Sequence, residues 1–330
     1  MFNNFDILAS QNVHKYPQNS QNSQNSQNQS RASSRNLDKV SYSGHLQKQV
    51  INCWKKACLS SDYETCCHWT MEMVLSKWQD VLWESILLFS AKHIHSQNPK
   101  LVLFLKRIKV DYPNLNVSDN KHDTVEIFTF IMGVLIYSPK GIVYPTPSIK
   151  STDDEIEHAI STLTQCTLSN HVRSAMVSGD SIVLAGLLNA CTQHLTTCDL
   201  NNSFRIIGWI IQLEKNKKYK EHIVSGSRYD NSSWVFFLWD TLVVYAEQNK
   251  VEYLDIIKCW RGFYCNGYTK PMRTSRFPMV INALILLSQK EYRDIPCIHN
   301  QSMIQKACQN VEHILTDIIK KKEEKHSYLF

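Results

Sequence analysis

The spacing of apolar residues is the feature that most restricts the fold of this chain. In HLQKQVINCWKKACL (45–59), Leu46, Val50, Trp54 and Ala57 recur at intervals of three and four, the period of an amphipathic helix. No stretch of useful length alternates apolar and polar residues as a half-buried strand does. Glycine and proline number only 9 each in 330 residues, which is few for the turns of a β-rich protein. The sequence therefore predicts an all-α fold.

Low-complexity and proline-containing stretches divide the chain into parts. The triplet repeat QNSQNSQNSQNQS (18–30) has no apolar residue, so it cannot bury enough surface to offset the entropy lost on ordering. We expect residues 1–43 to form a disordered tail. The stretch SPKGIVYPTPSIKST (138–152) contains three prolines and is predicted to be a linker. The expected architecture is a two-lobe orthogonal helical bundle, with lobes at 44–137 and 153–330.

Local signals predict where several helices begin. Ser61–Asp62–Tyr63–Glu64 has the Ser-x-x-Glu pattern of a capping box. Asp180 precedes the apolar stripe of 184–195 and is a candidate N-cap. Pro278 opens PMVINALILL at a plausible first helical position.

One aspartate stands in the most apolar segment of the chain. SSWVFFLWDTLVVYAE is apolar nearly all round, so it predicts the central helix of the second lobe. Asp240 within it needs a partner when buried. The candidates are Arg261, Arg273 and Arg276 in the following segment.

The stretch ETCCHW (64–69) poses the question of a metal site, a redox pair or a packed core. At 100° per helical residue, Cys66, Cys67 and His68 point in three directions and cannot share one tetrahedral ion. Buried cysteine behaves as a small hydrophobe, so packing is the favoured interpretation. His68 is expected on the opposite, exposed face between Glu64 and Glu72. No metal site is predicted.

Other classes of function leave little trace in the sequence. No segment reaches the ~18–20 apolar residues that span a bilayer, and no secretory signal is visible, so we expect a soluble intracellular protein without membrane contact. The acidic run 153–157 is interpreted as a solvated helix start, and His93 and His95 as residues of a helix end. No catalytic residue and no cofactor are predicted, although a site assembled from distant residues stays open as an alternative.

The net charge of +6 indicates a mild bias towards an anionic partner. Residues 201–330 hold 19 Lys and Arg against 13 Asp and Glu. Basic side chains neutralise phosphates and exposed rings stack on bases, which is the pattern of single-strand binders. The nucleic-acid candidates are Lys215, Lys217, Lys218, Lys220, Arg261, Lys270, Arg273 and Arg276. The alternative interpretation is a solvated lysine loop beside aromatic residues that have the spacing of a core helix.

Residues 55–101, which run from KKACLSSDYETCCHWTMEMV to LWESILLFSAKHIHSQNPKL, resemble the collar region of the MgsA/Werner-helicase-interacting AAA+ ATPases. The residues that carry the resemblance most clearly are Ser61, Asp62, Trp69, Met73, Asn98 and Pro99. The resemblance implies a helical oligomerisation module of clamp-loader type. The chain has no GxxxxGK[ST] phosphate loop, so it does not imply the ATPase activity.

The whole chain also resembles uncharacterised helical proteins of nucleocytoplasmic large DNA viruses. The shared features are a Trp-rich helix pair and the late segment LWDTLVVYA…IIKCWRGFY…RFPMVINALILL (238–287). This resemblance implies a viral protein of the host cytoplasm or viral factory. Together the two resemblances suggest a non-enzymatic interaction or scaffold protein, an accessory to viral DNA replication that self-associates or binds a protein partner. The alternative is a nucleic-acid-binding or virion protein acting through 214–276.

Overall fold

The computed structural model describes residues 40–112, 121–228, 233–289, 291, 294–309, 313–314 and 316–320. Regular structure in these residues is helical, without a strand, which confirms the all-α prediction. An isolated backbone bridge joins Val40 and Leu46. Residues 1–39 of the predicted tail lie outside the described residues.

The helices of the described residues follow the chain in a simple order. They are α1 (Gln47–Ser60), α2 (Tyr63–Leu75), α3 (Gln79–Phe89), α4 (Leu101–Asp111), α5 (Lys121–Tyr137), α6 (Asp153–Thr164), α7 (Asn170–Ala175), α8 (Ile182–Thr196), α9 (Leu200–Lys215), α10 (Trp234–Gln248), α11 (Leu254–Cys265), α12 (Met272–Leu287) and α13 (Gln301–Gln309). A π-helix (Ser90–Ile94) and a 3-10 helix (His95–Gln97) follow α3, and a second 3-10 helix (Lys220–Ile223) follows α9.

The chain forms two compact units that are not continuous in sequence. Unit 1 takes in Met1–Trp83, Asn114–Tyr137 and Pro296–Phe330, and unit 2 takes in Glu84–Pro113 and Ser138–Ile295. This grouping differs from the predicted lobes, because 84–113 and the predicted linker belong to unit 2. Helical periodicity shows which residues form a helix, but it does not show which distant helices come together. The independent folding of either predicted lobe stays a prediction.

The core of unit 1 is built on α1, α2, α5 and α13, which pack on one another. Trp54 of α1 is buried, and its indole Nε1 donates to Thr70 Oγ1 at 3.1 Å. Gly133 of α5 allows close approach of Ile304 of α13, because a Cβ at 133 would overlap that side chain.

The start of α2 corrects the predicted capping box. The N-cap is Asp62, whose carboxylate accepts from the Thr65 amide at 3.1 Å. Ser61 ends α1 instead, in the left-handed conformation with φ 58°. Two adjacent helices leave a two-residue connection, so the first polar residue closes one helix and the second opens the next.

Tyr42 and Ser43, at the end of the predicted tail, hydrogen-bond to α2 and to the residue that follows it. Ser43 donates to Glu72 through its backbone amide at 2.6 Å and its hydroxyl at 2.8 Å. The Tyr42 amide donates to Ser76 Oγ at 2.7 Å. Glu72 is fully buried, so its predicted place on an exposed face beside His68 was wrong.

The core of unit 2 surrounds α10, whose predicted central position is confirmed. Its apolar side chains are buried on every face, including Trp234, Phe237 and Trp239. Helices α7, α8, α11 and α12 contact it, and α4 packs on α11.

Two predicted helix starts in unit 2 were wrong. Helix α12 begins at Met272, so Pro278 lies inside the helix and not at its first position. Ser181 caps α8 by accepting from the amides of Val183 and Leu184. Asp180, the predicted cap, instead forms an ion pair with Arg228.

Candidate interaction surface

Two of the arginines predicted to contact nucleic acid hold carboxylates within unit 2. Arg261 on α11 donates to Asp240 on α10, and both side chains are mostly buried. Arg273 on α12 lies with its Nη1 2.5 Å from Glu214 Oε1, again with both side chains mostly buried. A guanidinium paired in this way would give up a charge-assisted hydrogen bond before it could bind a phosphate.

Arg276 is also a structural residue. Its Nε and Nη2 donate to the two carboxylate oxygens of Glu84 at 2.9 and 3.0 Å. Its Nη1 donates to the backbone carbonyls of Tyr264 and Asn266 at 2.8 and 2.7 Å. A helix end leaves such carbonyls without an intrahelical partner. Arg276 therefore caps α11 and fastens α12 to the middle of α3 at Glu84.

A buried ion-pair network centred on Arg228 joins three parts of unit 2. The Arg228 side chain is 4% exposed, and its Nη2 lies 2.5 Å from Oδ2 of Asp180, whose side chain is fully buried. Its Nε donates to Asp240 Oδ2 at 2.9 Å. Burial alone would raise the pKa of Asp180, but hydrogen bonds from Arg228 and backbone amides outweigh it and hold that pKa below its ordinary value.

Half of this network was predicted from the sequence. The prediction that Asp240 has an ionic partner is confirmed, and Arg261 was one of its candidates. Arg273 and Arg276 were wrong as candidates because they pair with carboxylates elsewhere. Arg228 was missed because it stands in a loop, where no periodicity marks a residue as buried.

The predicted lysines lie at the end of α9, in the turn and the 3-10 helix that follow it, and before α12. Lys218 Nζ is 2.7 Å from Glu157 Oε1 and 3.8 Å from Asp153 Oδ2. Hydrogen bonds from Lys218 and Tyr219 lower the pKa of Glu157. The acidic start of α6 thus neutralises part of the basic loop. The remaining predicted lysines are exposed: Lys215, Lys217, Lys220 and Lys270.

The ETCCHW stretch is packed in unit 1, as predicted. Cys66 and Cys67 are fully buried, and Cys66 Sγ lies 3.2 Å from Cys58 Sγ on α1. Burial raises the pKa of both Cys66 and Cys67, so the reactive thiolate is disfavoured. The Tyr63 hydroxyl donates to the backbone carbonyl of Thr129 at 3.2 Å.

The remaining residues of the collar resemblance are divided between the units. Met73 is fully buried in unit 1, and the Trp69 ring stands edge-on to His45 with centroids 5.4 Å apart. Asn98 and Pro99 are buried in unit 2. The stretch 55–101 therefore does not fall within one compact unit.

The turn after α3 has an unusual backbone. The π-helix Ser90–Ile94 is followed by His95 with φ 34° and ψ −117°, a positive φ that residues other than glycine rarely adopt. Both π-helical turns and such strained residues are frequent at functional sites. Surrounding contacts must stabilise this geometry, and the described structure shows them.

Those contacts come from the predicted linker, which is fixed on unit 2. We call residues 138–150 the pinned segment. Three hydrogen bonds hold its first half: Asn98 Nδ2 to Ser138 Oγ at 2.9 Å, Gly141 N to His93 O at 2.7 Å, and His95 Nε2 to Ile142 O at 2.9 Å. A Cβ at Gly141 would overlap the His95 ring, so this approach requires glycine.

The second half of the pinned segment rests on α9. The ring of Tyr144 stands edge-on to Phe204 with centroids 5.6 Å apart. Gly208 leaves room for Ile149, which a Cβ at 208 would contact. Just beyond the segment, Gln212 Nε2 donates to the Ser151 carbonyl at 3.1 Å.

The pinned segment exposes large aliphatic side chains. Ile142 is 73% exposed and Val143 is 42% exposed, although the Ile142 carbonyl is held by His95. Gly141, Tyr144 and Pro147 are partly covered, whereas the two residues in each interval between them are exposed. The segment therefore presents apolar side chains from a fixed backbone.

Two further features were searched for in the part of the chain that the structure describes. In that part of the chain, no three His, Cys, Asp or Glu side chains are close enough together to hold a metal ion. None of its helices combines the length and the apolar character needed to cross a membrane.

Comparisons of the chain with models of protein families, with curated proteins and with solved structures found no match.

Proposed function

We propose that this protein is a non-enzymatic interaction protein that binds a protein partner through the pinned segment. The observation that supports the proposal is Ile142, exposed to 73% on a backbone that hydrogen bonds hold in place. Covering such a side chain is worth about 1.5–3 kcal/mol. Because the backbone is already ordered, binding would lose little conformational entropy.

The test compares two exposed aliphatic residues of unit 2. Ile142→Asp places a charge on the pinned segment, and Val110→Asp places one on α4, where Val110 is 61% exposed. We expect nuclease-treated extract of the natural host to yield a partner with the parent chain and with Val110→Asp, but about tenfold less with Ile142→Asp. Equal recovery with both variants, each folded by circular dichroism, would contradict the proposal.

We further propose that the partner belongs to a DNA-replication assembly, with the chain as a viral accessory protein. The support is the collar resemblance of residues 55–101, which concerns assembly and not catalysis. Mass spectrometry of the Ile142-dependent partner tests this: a protein without any part in replication would contradict it.

A second candidate function is nucleic-acid binding, which the exposed lysines favour. Lys217 lies in the turn after α9 and Lys220 begins the 3-10 helix that follows, both with exposed side chains. If they contact phosphates, affinity for short single-stranded DNA falls log-linearly as salt rises, and the double change to Ala lowers that slope. Lys48→Ala, on exposed α1 surface, is the matched control. No change in fluorescence anisotropy at low salt would dismiss this function.

A further inference from the structure

We propose that the partner's binding surface is an aromatic-lined groove with an acidic rim, of the kind that binds polyproline II helices. The inference rests on the proposed function and specifies the partner for the same pinned segment. Its source is the pattern in which the segment exposes its side chains.

Between residues 141 and 147 the exposure pattern repeats every three residues. Gly141 and Tyr144 contact His95 and Phe204 of unit 2, and Pro147 is partly covered. The two residues in each interval are exposed, and the repeat ends at Ser148, because Ile149 is partly covered again. A polyproline II helix has three residues per turn, whereas a strand alternates every two. The pattern therefore favours a polyproline II course and disfavours pairing as an added strand.

The sequence of the segment favours the same conformation. Pro139, Pro145 and Pro147 fix their own φ near the polyproline II value. Each also disfavours helical conformations of the residue before it, so Tyr144 and Thr146 are restricted to extended conformations. These restrictions favour the polyproline II conformation locally, in addition to the contacts with unit 2.

The outward residues form a ridge of two pairs. Ile142 and Val143 make the first pair, and Pro145 and Thr146 make the second, one turn along. Grooves that bind polyproline II helices are lined with aromatic rings and exploit the low entropy of a preformed ligand. The ridge supplies apolar surface from Ile142, Val143 and Pro145 one turn apart, without a PxxP arrangement of its prolines.

Charge specifies the rim of the groove. Residues 138–150 contain two lysines, Lys140 and Lys150, and no acidic residue. The Lys140 ammonium is turned back onto the Ser138 carbonyl at 2.8 Å, whereas Lys150 is exposed at the end of the segment. An acidic rim beside the aromatic residues would complement Lys150.

The experiment measures binding of the full-length chain to a set of purified SH3, WW and EVH1 domains, whose grooves bind polyproline II helices. Tryptophan fluorescence or NMR shifts of the domain report binding. We expect at least one domain to bind and decaproline to displace the chain from it. Pro145→Ala and Lys150→Glu should each weaken binding, by about tenfold for Pro145→Ala, while Val110→Asp leaves it unchanged.

Absence of binding to every domain at about 1 mM would overturn the inference, as would binding that decaproline does not displace. The proposed function fails separately. If Ile142→Asp abolishes recovery of the host partner but no groove domain binds, the protein interaction stands and the groove is wrong. If groove domains bind the parent chain and Ile142→Asp alike, the ridge is not the contact and the inference falls, whereas the proposed function falls only if Ile142→Asp also leaves recovery of the partner unchanged.

Discussion

Arg228 lies between Asp180 and Asp240 and brings two aspartates into the interior of unit 2. Removing one partner of a buried pair leaves an uncompensated charge, whereas an exposed pair contributes little. We expect Arg228→Met to lower the free energy of unfolding by about 3–5 kcal/mol, measured by urea denaturation.

Lys218→Met is the matched control, because Lys218 pairs with Glu157 on the surface. We expect it to change the urea midpoint little. Similar losses in the two variants would show that the Arg228 network is no more important to stability than a surface pair.

His95 gives a second prediction at the residue scale. Burial lowers its pKa, and its Nε2–H donates to the Ile142 carbonyl while its Nδ1 contacts Ser96 Oγ. Between the lowered pKa and the ordinary value of about 6.5, the unfolded state binds more protons than the folded state. The free energy of unfolding should therefore fall as the pH is lowered through that window.

His95→Gln retains a donor for Ile142 but does not titrate. Urea denaturation at about pH 7.5 and pH 5.5 should show a smaller pH dependence in this variant than in the parent chain. Some dependence remains, because burial also lowers the pKa of His171 and His299. An unchanged dependence would mean that the titration of His95 is not linked to folding.

At the scale of elements, the pinned segment depends on a glycine. A Cβ at Gly141 would overlap the His95 ring, so Gly141→Ala should break the contact between His95 and Ile142. Hydrogen exchange of the segment's amides should then be faster than in the parent chain, with the rest of unit 2 unchanged.

Gly262 offers the opposite case on α11. A Cβ there meets no atom within 4 Å, and the residue lies in a helix interior. Gly262→Ala should raise the free energy of unfolding by about 0.5–1 kcal/mol and leave exchange in the pinned segment unchanged. Faster exchange in both variants would indicate general loosening and not a specific contact at position 141.

The sequence predicts elements better than their boundaries and contacts. Periodicity identified α1 and the fully buried α10, because burial on one face or on all faces leaves a direct mark on composition. The start of α12 was misplaced because Pro278 lacks an amide wherever it stands, and only tertiary packing decides whether a helix continues through it. The pinned segment was read as a linker because prolines indicate an irregular backbone without showing whether it is held.

At the scale of the whole molecule, the two units combine segments far apart in the chain. Residues 84–113 belong with 138–295, a grouping that depends on which helix faces meet. The net charge is also a poor guide to binding, because the arrangement of the charges decides which basic side chains a partner can reach. Of eight basic candidates, the structure uses Arg261, Arg273 and Arg276 internally and pairs Lys218 with Glu157.

The central claim is that the pinned segment is where a protein partner binds. The most direct measurement places a photo-crosslinking amino acid at position 142 in one full-length chain and at position 110 in another. After irradiation in nuclease-treated cell extract, we expect a discrete adduct from position 142 and none from position 110. Adducts of equal yield from both positions, or an adduct from position 110 alone, would contradict it.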